Sequence, residues 1–197
     1  MNRIDAFDPA ASALFWQTVR SGGLVVYPTD TLYGLGTDAE NGAAVERLTK
    51  LKGRTGPFSV MVGHPEQLAE YGLVSPDNAV KFAAMLPGPY TILLQPQKPE
   101  RLAPQVIGPG GMVGFRIPAH QFIQEAFLFT TGLVITTSVN YTGQPPLQDP
   151  DIIRDQFGEQ LDLLVDGGVL SPSRGSTVYD TTTIPWQVVR KGDGKLI

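Results

Sequence analysis

The sequence contains no cysteine, and this absence excludes several kinds of site. Disulfides, thiolate-bound metal ions and a cysteine nucleophile all require a thiol. Only two histidines are present, His64 and His120, and neither stands in a zinc-binding spacing. No G-x-x-x-x-G-K-[ST] or G-x-S-x-G segment occurs, so we expect neither a P-loop nor the serine elbow of an α/β-hydrolase.

Long apolar runs and an excess of basic residues are also missing. No stretch approaches the roughly 20 apolar residues of a membrane span, and no basic segment leads into an apolar run at the amino terminus. We therefore expect no membrane segment, no signal peptide and a cytoplasmic location. The net charge of -4 argues against broad nucleic-acid binding, although a cleft can carry a local basic patch.

The chain of 197 residues has the size and composition of one globular domain, which we predict to span residues 1–197. Apolar runs and amphipathic segments alternate along it, which is typical of an α/β fold; we expect a mixed sheet that is mainly parallel or looped. Asn41 is a candidate helix N-cap. Helices are predicted at 9–21, 42–51, 65–71, 76–86, 119–129 and 149–157, and strands at 24–27, 58–62, 90–94, 112–117, 133–137, 161–165, 177–180 and 187–190.

A segment rich in hydroxyls and glycine, residues 27–36, follows the first predicted strand. Ligands of open α/β sheets collect where strands end. The hydroxyls of Thr29 and Thr31 can bond a ligand, and Gly34 and Gly36 allow close backbone approach. The same residues also suit a Ser/Thr turn with two structural glycines, and the sequence leaves both interpretations open.

Lys52 and Arg54 stand at the end of a predicted helix. Cations there stabilise the helix dipole, which is the ordinary interpretation. The alternative is a phosphate clamp, in which arginine provides a planar fork and lysine a point charge. We expect the loop Gly53 and Thr55–Pro57 to leave both side chains free of helical packing, which favours the clamp.

Three further polar positions lie in or beside apolar strands. Arg116 interrupts an apolar strand, so its charge requires a partner, either a structural carboxylate or the carboxylate of a ligand. Ser138 and Asn140 follow another strand and suit a turn or a ligand contact equally well. Arg190 ends the last predicted strand and by itself is interpreted as a solvated charge near the tail.

Taken in order, these segments resemble the YrdC/YciO family from about residue 22 to residue 192. The resemblance implies a twisted mixed sheet with helices around a broad concave cavity lined by positive charge. It also implies a nucleotidyltransferase that makes threonylcarbamoyl-AMP from L-threonine, bicarbonate and ATP, with Mg²⁺ accompanying ATP, for the t6A modification of tRNA. The motifs that carry the resemblance are Tyr27–Gly36, Lys52-x-Arg54, Pro87–Thr91, Arg116–His120, Ser138–Gly143, Ser176–Asp180 and Val189–Gly192.

The resemblance also implies roles for single residues and partners. No metal ligand from the protein is implied; tRNA or double-stranded RNA and proteins of the t6A pathway are possible partners. The implied catalytic residues are Lys52, Arg54 and Arg116. The implied threonine contacts are Thr31, Arg116, Thr136 and Ser176, and the implied ATP contacts are Lys52, Arg54, Ser138, Asn140 and Arg190.

Several positions depart from the pattern of the synthases. Met61 stands where a histidine is expected on the threonine side, Met112 replaces a threonine, Pro146 replaces a serine, and the loop after Arg54 is about two residues short. These departures motivate an alternative: a YciO-type paralogue that binds nucleotide or RNA, or handles an adenylate, without making one. A third hypothesis is a structural module with a vestigial cavity.

Overall fold

A ten-stranded sheet organises the part of the chain that the computed structural model describes, residues 1–128 and 130–196. Its strands are β1 (Asn2–Asp5), β2 (Val25–Tyr27), β3 (Gly34–Gly36), β4 (Ser59–Met61), β5 (Tyr90–Leu94), β6 (Val113–Arg116), β7 (Val134–Ser138), β8 (Leu163–Asp166), β9 (Thr177–Asp180) and β10 (Gln187–Arg190). The helices are α1 (Ala11–Arg20), α2 (Gly42–Lys52), α3 (Pro65–Tyr71), α4 (Pro76–Met85), α5 (Gln121–Phe127) and α6 (Pro150–Phe157), and three short 3₁₀ turns join β5 to β6.

The strand order is β1-β8-β2-β3-β7-β4-β6-β5-β9-β10, and the sheet is mixed as predicted. The expectation that it is mainly parallel is wrong. Five pairings between the described strands are antiparallel and four are parallel. The short strands β1 and β3 were absent from the prediction; β3 is Gly34-Leu35-Gly36, and glycine is depleted in strands.

The predicted helices are confirmed to within a few residues, because their end signals are local. The Asn41 side chain accepts a hydrogen bond from the Ala44 amide, as an N-cap does, and Gly53 ends α2 at a φ of 67°. The predicted helix at 119–129 is α5. Its last predicted residue, Phe129, lies outside the described residues.

The two faces of the sheet are covered to different extents. Side chains alternate along each strand, so Val60, Ile135 and Phe115 all point into the main hydrophobic core on one face. On the other face, a second apolar cluster formed by α1 and α5 buries Tyr27 and Met61. Beyond that cluster the same face carries polar side chains, and this uncovered part of the sheet is where a site can form.

Two glycines of β3 allow this strand to pack closely against Tyr27 of β2 and Ile135 of β7. The Tyr27 hydroxyl donates to the carbonyl of Ile135 at 2.9 Å. A Cβ atom at Gly34 would lie 2.6 Å from the Tyr27 ring, and one at Gly36 would lie 1.9 Å from the Ile135 oxygen. These glycines are therefore required by the close approach of β3 to its neighbours.

None of the helices in the described part of the chain combines the length and the apolar character that crossing a bilayer requires.

Gly36→Ala is expected to lower the free energy of unfolding by more than about 2 kcal/mol, because the new methyl group overlaps a backbone oxygen. The matched control is Gly42→Ala at the start of α2, where no atom lies within 4 Å of the added Cβ. The control is expected to be neutral or to stabilise by about 0.5 kcal/mol. Urea denaturation measures both, and equal stabilities would contradict the packing argument.

Candidate functional site

A polar cavity opens over the uncovered part of the sheet. Its volume of about 260 Å³ is close to the lower end of the range that is typical of small-molecule sites. No aspartate or glutamate is among the described residues that line it. The cavity therefore concentrates positive charge in a chain whose net charge is -4. Its cations are Arg54, Arg116, Arg174 and Arg190, and its serines and threonines are Ser59, Thr91, Thr136, Thr137, Ser138 and Ser176.

Arg116, at the end of β6, is 9% exposed and has a structural partner. Its Nη2 donates to Oδ1 of Asp30 at 3.2 Å and to the Thr31 hydroxyl at 3.1 Å. Nε of Arg116 and Oδ2 of Asp30 are buried without a hydrogen-bond partner among the described residues. Burial lowers the pKa of Arg116, and the negative charge of Asp30 offsets part of this decrease. The Arg116 guanidinium thus has a carboxylate partner. Arg116 also belongs to the described cavity lining, and its Nε is a buried donor without a partner among the described residues.

The Thr29–Leu32 segment forms the Ser/Thr turn that the sequence left open. The Thr29 hydroxyl accepts from the amides of Thr31 and Leu32, both at 3.2 Å, and donates to the Leu32 carbonyl at 2.6 Å. Thr31 lies behind Arg116, outside the set of described residues that line the cavity. Its hydroxyl orients the guanidinium of Arg116.

Arg54 lies half-buried in the cavity wall. Its Nη1 donates to the Pro57 carbonyl at 3.1 Å, and its Nη2 lies 3.4 Å from the Thr137 hydroxyl. The guanidinium carbon is 4.6 Å from the centroid of the Phe58 ring, a cation–π distance. Burial lowers the pKa of Arg54. The side chain is thus held on one wall and faces the cavity.

Lys52 occupies a different environment from Arg54, although only two residues separate them. It is 2% exposed, and its ammonium donates at 2.7 Å to the carbonyls of Ser138 and Asn140 and to Oδ1 of Asn140. The expectation that the loop leaves Lys52 free of packing is wrong. Burial, aided by the charge of Arg54, lowers the pKa of Lys52 to about 8.

Ser138 and Asn140 lie together, but only Ser138 lines the cavity. The Ser138 hydroxyl donates to Oδ1 of Asn140 at 2.7 Å, and Nδ2 of Asn140 donates to the Gln144 carbonyl at 2.6 Å. The Asn140 side chain is therefore used within the loop.

Arg190 is exposed, as a solvated charge is, but its guanidinium is held by Ser176, just before β9. Its Nε and Nη2 donate to the Ser176 carbonyl at 3.2 and 2.9 Å, and Nη2 also donates to the Ser176 hydroxyl at 2.9 Å. That hydroxyl lies 2.7 Å from the Thr91 hydroxyl. Burial lowers the pKa of Arg190.

Thr136 lines the cavity from β7, opposite Ser59 of β4 in the strand register. Of the three residue replacements among the departures from the family pattern, only Pro146 belongs to the described cavity lining; the shortened loop after Arg54 contributes Pro57. Met61 is fully buried in the second apolar cluster, and Met112 lies just before β6, outside the described lining.

Arg174 lines the cavity, yet none of the sequence arguments pointed to it. Its side chain is 76% exposed, and its Nε is 3.5 Å from Oδ1 of Asp193, which also accepts from the Arg174 amide at 3.2 Å. The available signal was its place two residues before Ser176. Ser59 was missed because a single hydroxyl within an apolar strand carries no motif. Thr91 ends the Pro87–Thr91 motif, but no role was assigned to it.

Comparisons with known proteins agree with the architecture. A family model named Sua5_yciO_yrdC, described as telomere recombination, matches residues 17–192. The chain is 31% identical over 179 residues to a threonylcarbamoyl-AMP synthase of Pyrococcus abyssi, covering 88% of this chain but only about half, 52%, of the relative. It is 33% identical over 188 residues to YciO of Escherichia coli, covering 90% of this chain and 87% of the relative. A crystal structure of P. abyssi Sua5 complexed with L-threonine superposes with a TM-score of 0.84 at 28% identity, covering 97% of this chain and 56% of that chain.

Asp30→Asn is expected to lower the free energy of unfolding by about 3 kcal/mol, because it leaves the charge of Arg116 unpaired in a buried position. The control Asp155→Asn breaks an exposed ion pair with Arg154 and is expected to cost less than about 1 kcal/mol. Denaturant titration of both variants tests this. Equal losses would show that the Asp30 pair is no more important than a surface pair.

Proposed function

Because the chain belongs to the Sua5, YciO and YrdC family, we propose that it is a nucleotidyltransferase that makes threonylcarbamoyl-AMP from ATP, L-threonine and bicarbonate. The observation that carries the proposal is the composition of the cavity, which combines four arginines and six serine or threonine residues with no carboxylate among its described lining residues. Such a lining suits a ligand with several negative charges. The named synthase among the relatives and the threonine complex of a similar structure support the choice of product and amino acid.

The proposed reaction requires positioning and charge neutralisation more than a protein nucleophile. The threonine amine adds to the carbon of bicarbonate, and water leaves, which forms a carbamate. A carboxylate oxygen of the carbamate then bonds to the α-phosphorus of ATP while the bond to the bridging oxygen breaks and pyrophosphate leaves. Fixed arginines stabilise the charge that builds up on the phosphate oxygens.

The phosphates are assigned to the arginines on the cavity wall and rim. Arg54 is held by the Pro57 carbonyl of its own loop and by the Thr137 hydroxyl of β7. Arg190 is held by the carbonyl and hydroxyl of Ser176, so the positions of both arginines are set before a ligand enters. The Arg174 side chain is 76% exposed and is suited to the outermost phosphate. Preorganised guanidinium groups bind phosphate oxygens in bidentate fashion at little cost in conformational entropy.

The amino-acid end is assigned to the floor of the cavity around Arg116. Its guanidinium, oriented by Asp30 and Thr31, is suited to the carboxylate of threonine or of the carbamate. Ser59 and Thr136 face each other across β4 and β7 and offer hydroxyls to the amino acid's own polar groups. A carboxylate ligand supplies an acceptor near a buried donor that has none.

Mg²⁺ is proposed to accompany ATP without a protein ligand. The described cavity lining offers arginines and hydroxyls, and the hard oxygen ligands that Mg²⁺ prefers are those of the phosphates and of water. When bound, the ion would neutralise part of the polyphosphate charge. We further propose that the product serves tRNA modification in the cytoplasm.

A second candidate is a nucleotide- or RNA-binding paralogue that does not make the adenylate. The observation in its favour is Met61, which is buried under α1 and α5 where the resemblance implies a histidine on the threonine side. The relative YciO is also as similar as the named synthases. The two candidates differ in whether pyrophosphate is released, and RNA binding that persists without release, with a steep salt dependence, supports the paralogue.

Purified protein is expected to release pyrophosphate from ATP only when L-threonine and bicarbonate are both present. Arg54→Ala is expected to reduce this rate about 100-fold or more, because a fixed cation next to the phosphates is lost. The control Arg47→Ala removes an exposed cation of α2, the helix that precedes the Arg54 loop, and this cation pairs with Asp162 instead. Full dependence on both substrates supports the synthase, and the absence of any release by wild-type protein would refute it.

Arg174→Ala is expected to weaken ATP binding about tenfold, while a ligand without phosphates, threonine, binds within about twofold of wild type. Calorimetry with ATP and with threonine measures the two effects separately. The control is Arg154→Ala, an exposed arginine on α6 outside the described cavity lining. Unchanged ATP affinity in Arg174→Ala would remove this residue from the proposed phosphate site.

A further inference from the structure

Lys52 forms the centre of a clamp between the end of α2 and the loop that follows β7. Its ammonium donates to three oxygens of residues 138–140, each at 2.7 Å. Its own carbonyl accepts from the Thr142 amide at 3.2 Å and from the Thr142 hydroxyl at 2.8 Å. One residue therefore holds the loop of residues 138–142 at both ends.

The geometry leaves the Lys52 ammonium no donor for an external anion. A lysine ammonium has three N–H donors, and three short hydrogen bonds use all of them. The residue is 2% exposed and does not belong to the described cavity lining. A phosphate could reach this nitrogen only if buried hydrogen bonds to carbonyl and amide oxygens were broken, which leaves those oxygens unsatisfied.

The clamp controls two residues that do face the cavity. Ser138 lies inside the clamped loop and lines the wall, and its carbonyl is one of the acceptors of the ammonium. Arg54 follows Lys52 by two residues, and its guanidinium lies near the Thr137 hydroxyl, just before the loop. The ammonium thus joins the two chain segments from which these cavity groups project.

We propose that Lys52 is a positioning residue that fixes the loop of residues 138–142 against the end of α2 and so sets the places of Ser138 and Arg54 in the cavity. It acts through these groups and does not contact the ligand. The ligand side of this inference rests on the proposed function, whereas the clamp itself is a property of the free protein.

Hydrogen exchange of the ligand-free protein tests the clamp. Lys52→Met keeps the length of the side chain but removes its donors, and we expect amides of residues 138–147 to exchange about tenfold faster or more than in wild type. The control Lys50→Met changes a 74% exposed lysine of the same helix that pairs with Glu46, and its loop is expected to exchange as in wild type. Equal loop exchange in all three proteins would overturn the clamp.

Acylation of lysines with acetic anhydride, followed by peptide mass spectrometry, separates a clamp from a direct ligand contact. Lys52 is expected to react at least about tenfold more slowly than Lys50, both without and with ATP, because its nitrogen is buried and bonded in both states. Reaction of Lys52 at the rate of Lys50, followed by protection on adding ATP, would overturn the proposal in favour of a direct phosphate contact.

A double-mutant cycle with Asn140→Ala tests whether Lys52 acts through the loop. Asn140→Ala removes the side-chain acceptor of the ammonium, Oδ1, and with it the bonds that Asn140 makes within the loop. We expect Lys52→Met and Asn140→Ala each to weaken ATP binding about tenfold and the double variant to bind no worse than about twofold below either. In steady-state kinetics of these variants, we expect the KM for ATP to rise while kcat changes less than about threefold. A smaller amount of folded protein would instead lower the apparent kcat and leave KM unchanged. Additive losses of ATP affinity would overturn the positioning role.

These measurements distinguish failure of the proposed function from failure of the positioning role of Lys52. If wild-type protein does not bind ATP, the proposed function fails, and the exchange and acylation results alone decide whether the clamp exists. If wild-type protein binds ATP but the Lys52→Met loop and affinity match wild type, the positioning role fails while the proposed function remains.

Discussion

The alternation of side chains across β4, β6 and β7 is the constraint on which the site depends. Neighbours in register point to the same face, so one face of these strands is continuously apolar and joins the main core. The opposite face is apolar only where α1 and α5 cover it. Beyond these two helices, the same alternation places Ser59, Thr136 and Arg116 on the face of the sheet that lines the cavity. The cavity is therefore the part of a sheet face that none of the described helices covers.

The cations around this hollow differ in what their donors do. Lys52 directs every donor into the protein, whereas Arg116 keeps one buried donor without a partner and Arg54 rests on an aromatic ring and a carbonyl. Burial disfavours a charge unless other groups compensate, so these bonds are what allow cations to gather in one place. A single acidic partner, Asp30, contacts Arg116 from behind, which leaves the described lining free of carboxylates.

Much of the fold could be predicted from local signals. The Asn41 cap, the Gly53 stop and the apolar runs placed most elements within a few residues, because each depends on neighbours in the chain. The parallel bias of the sheet and the omission of β3 were wrong, since pairing direction and the closeness of Tyr27 to two glycines are set by distant segments. The roles of the predicted site residues stay predictions, although most of those residues do lie around one cavity or directly behind it.

The sequence by itself determined the alternation of helices and strands, the family, and the positions at which hydroxyls and cations follow strands, because these are matters of order and spacing. Only the tertiary structure decided which cations face the cavity. Lys52 and Arg54 are two residues apart, yet the donors of Lys52 are all bonded to oxygens of the loop, whereas Arg54 lies in the cavity wall. Arg174 lines the same cavity as Arg54 from a segment 120 residues further along the chain. Hydrogen-bond partners and burial are set by segments that meet only in the folded chain, and no local pattern encodes them.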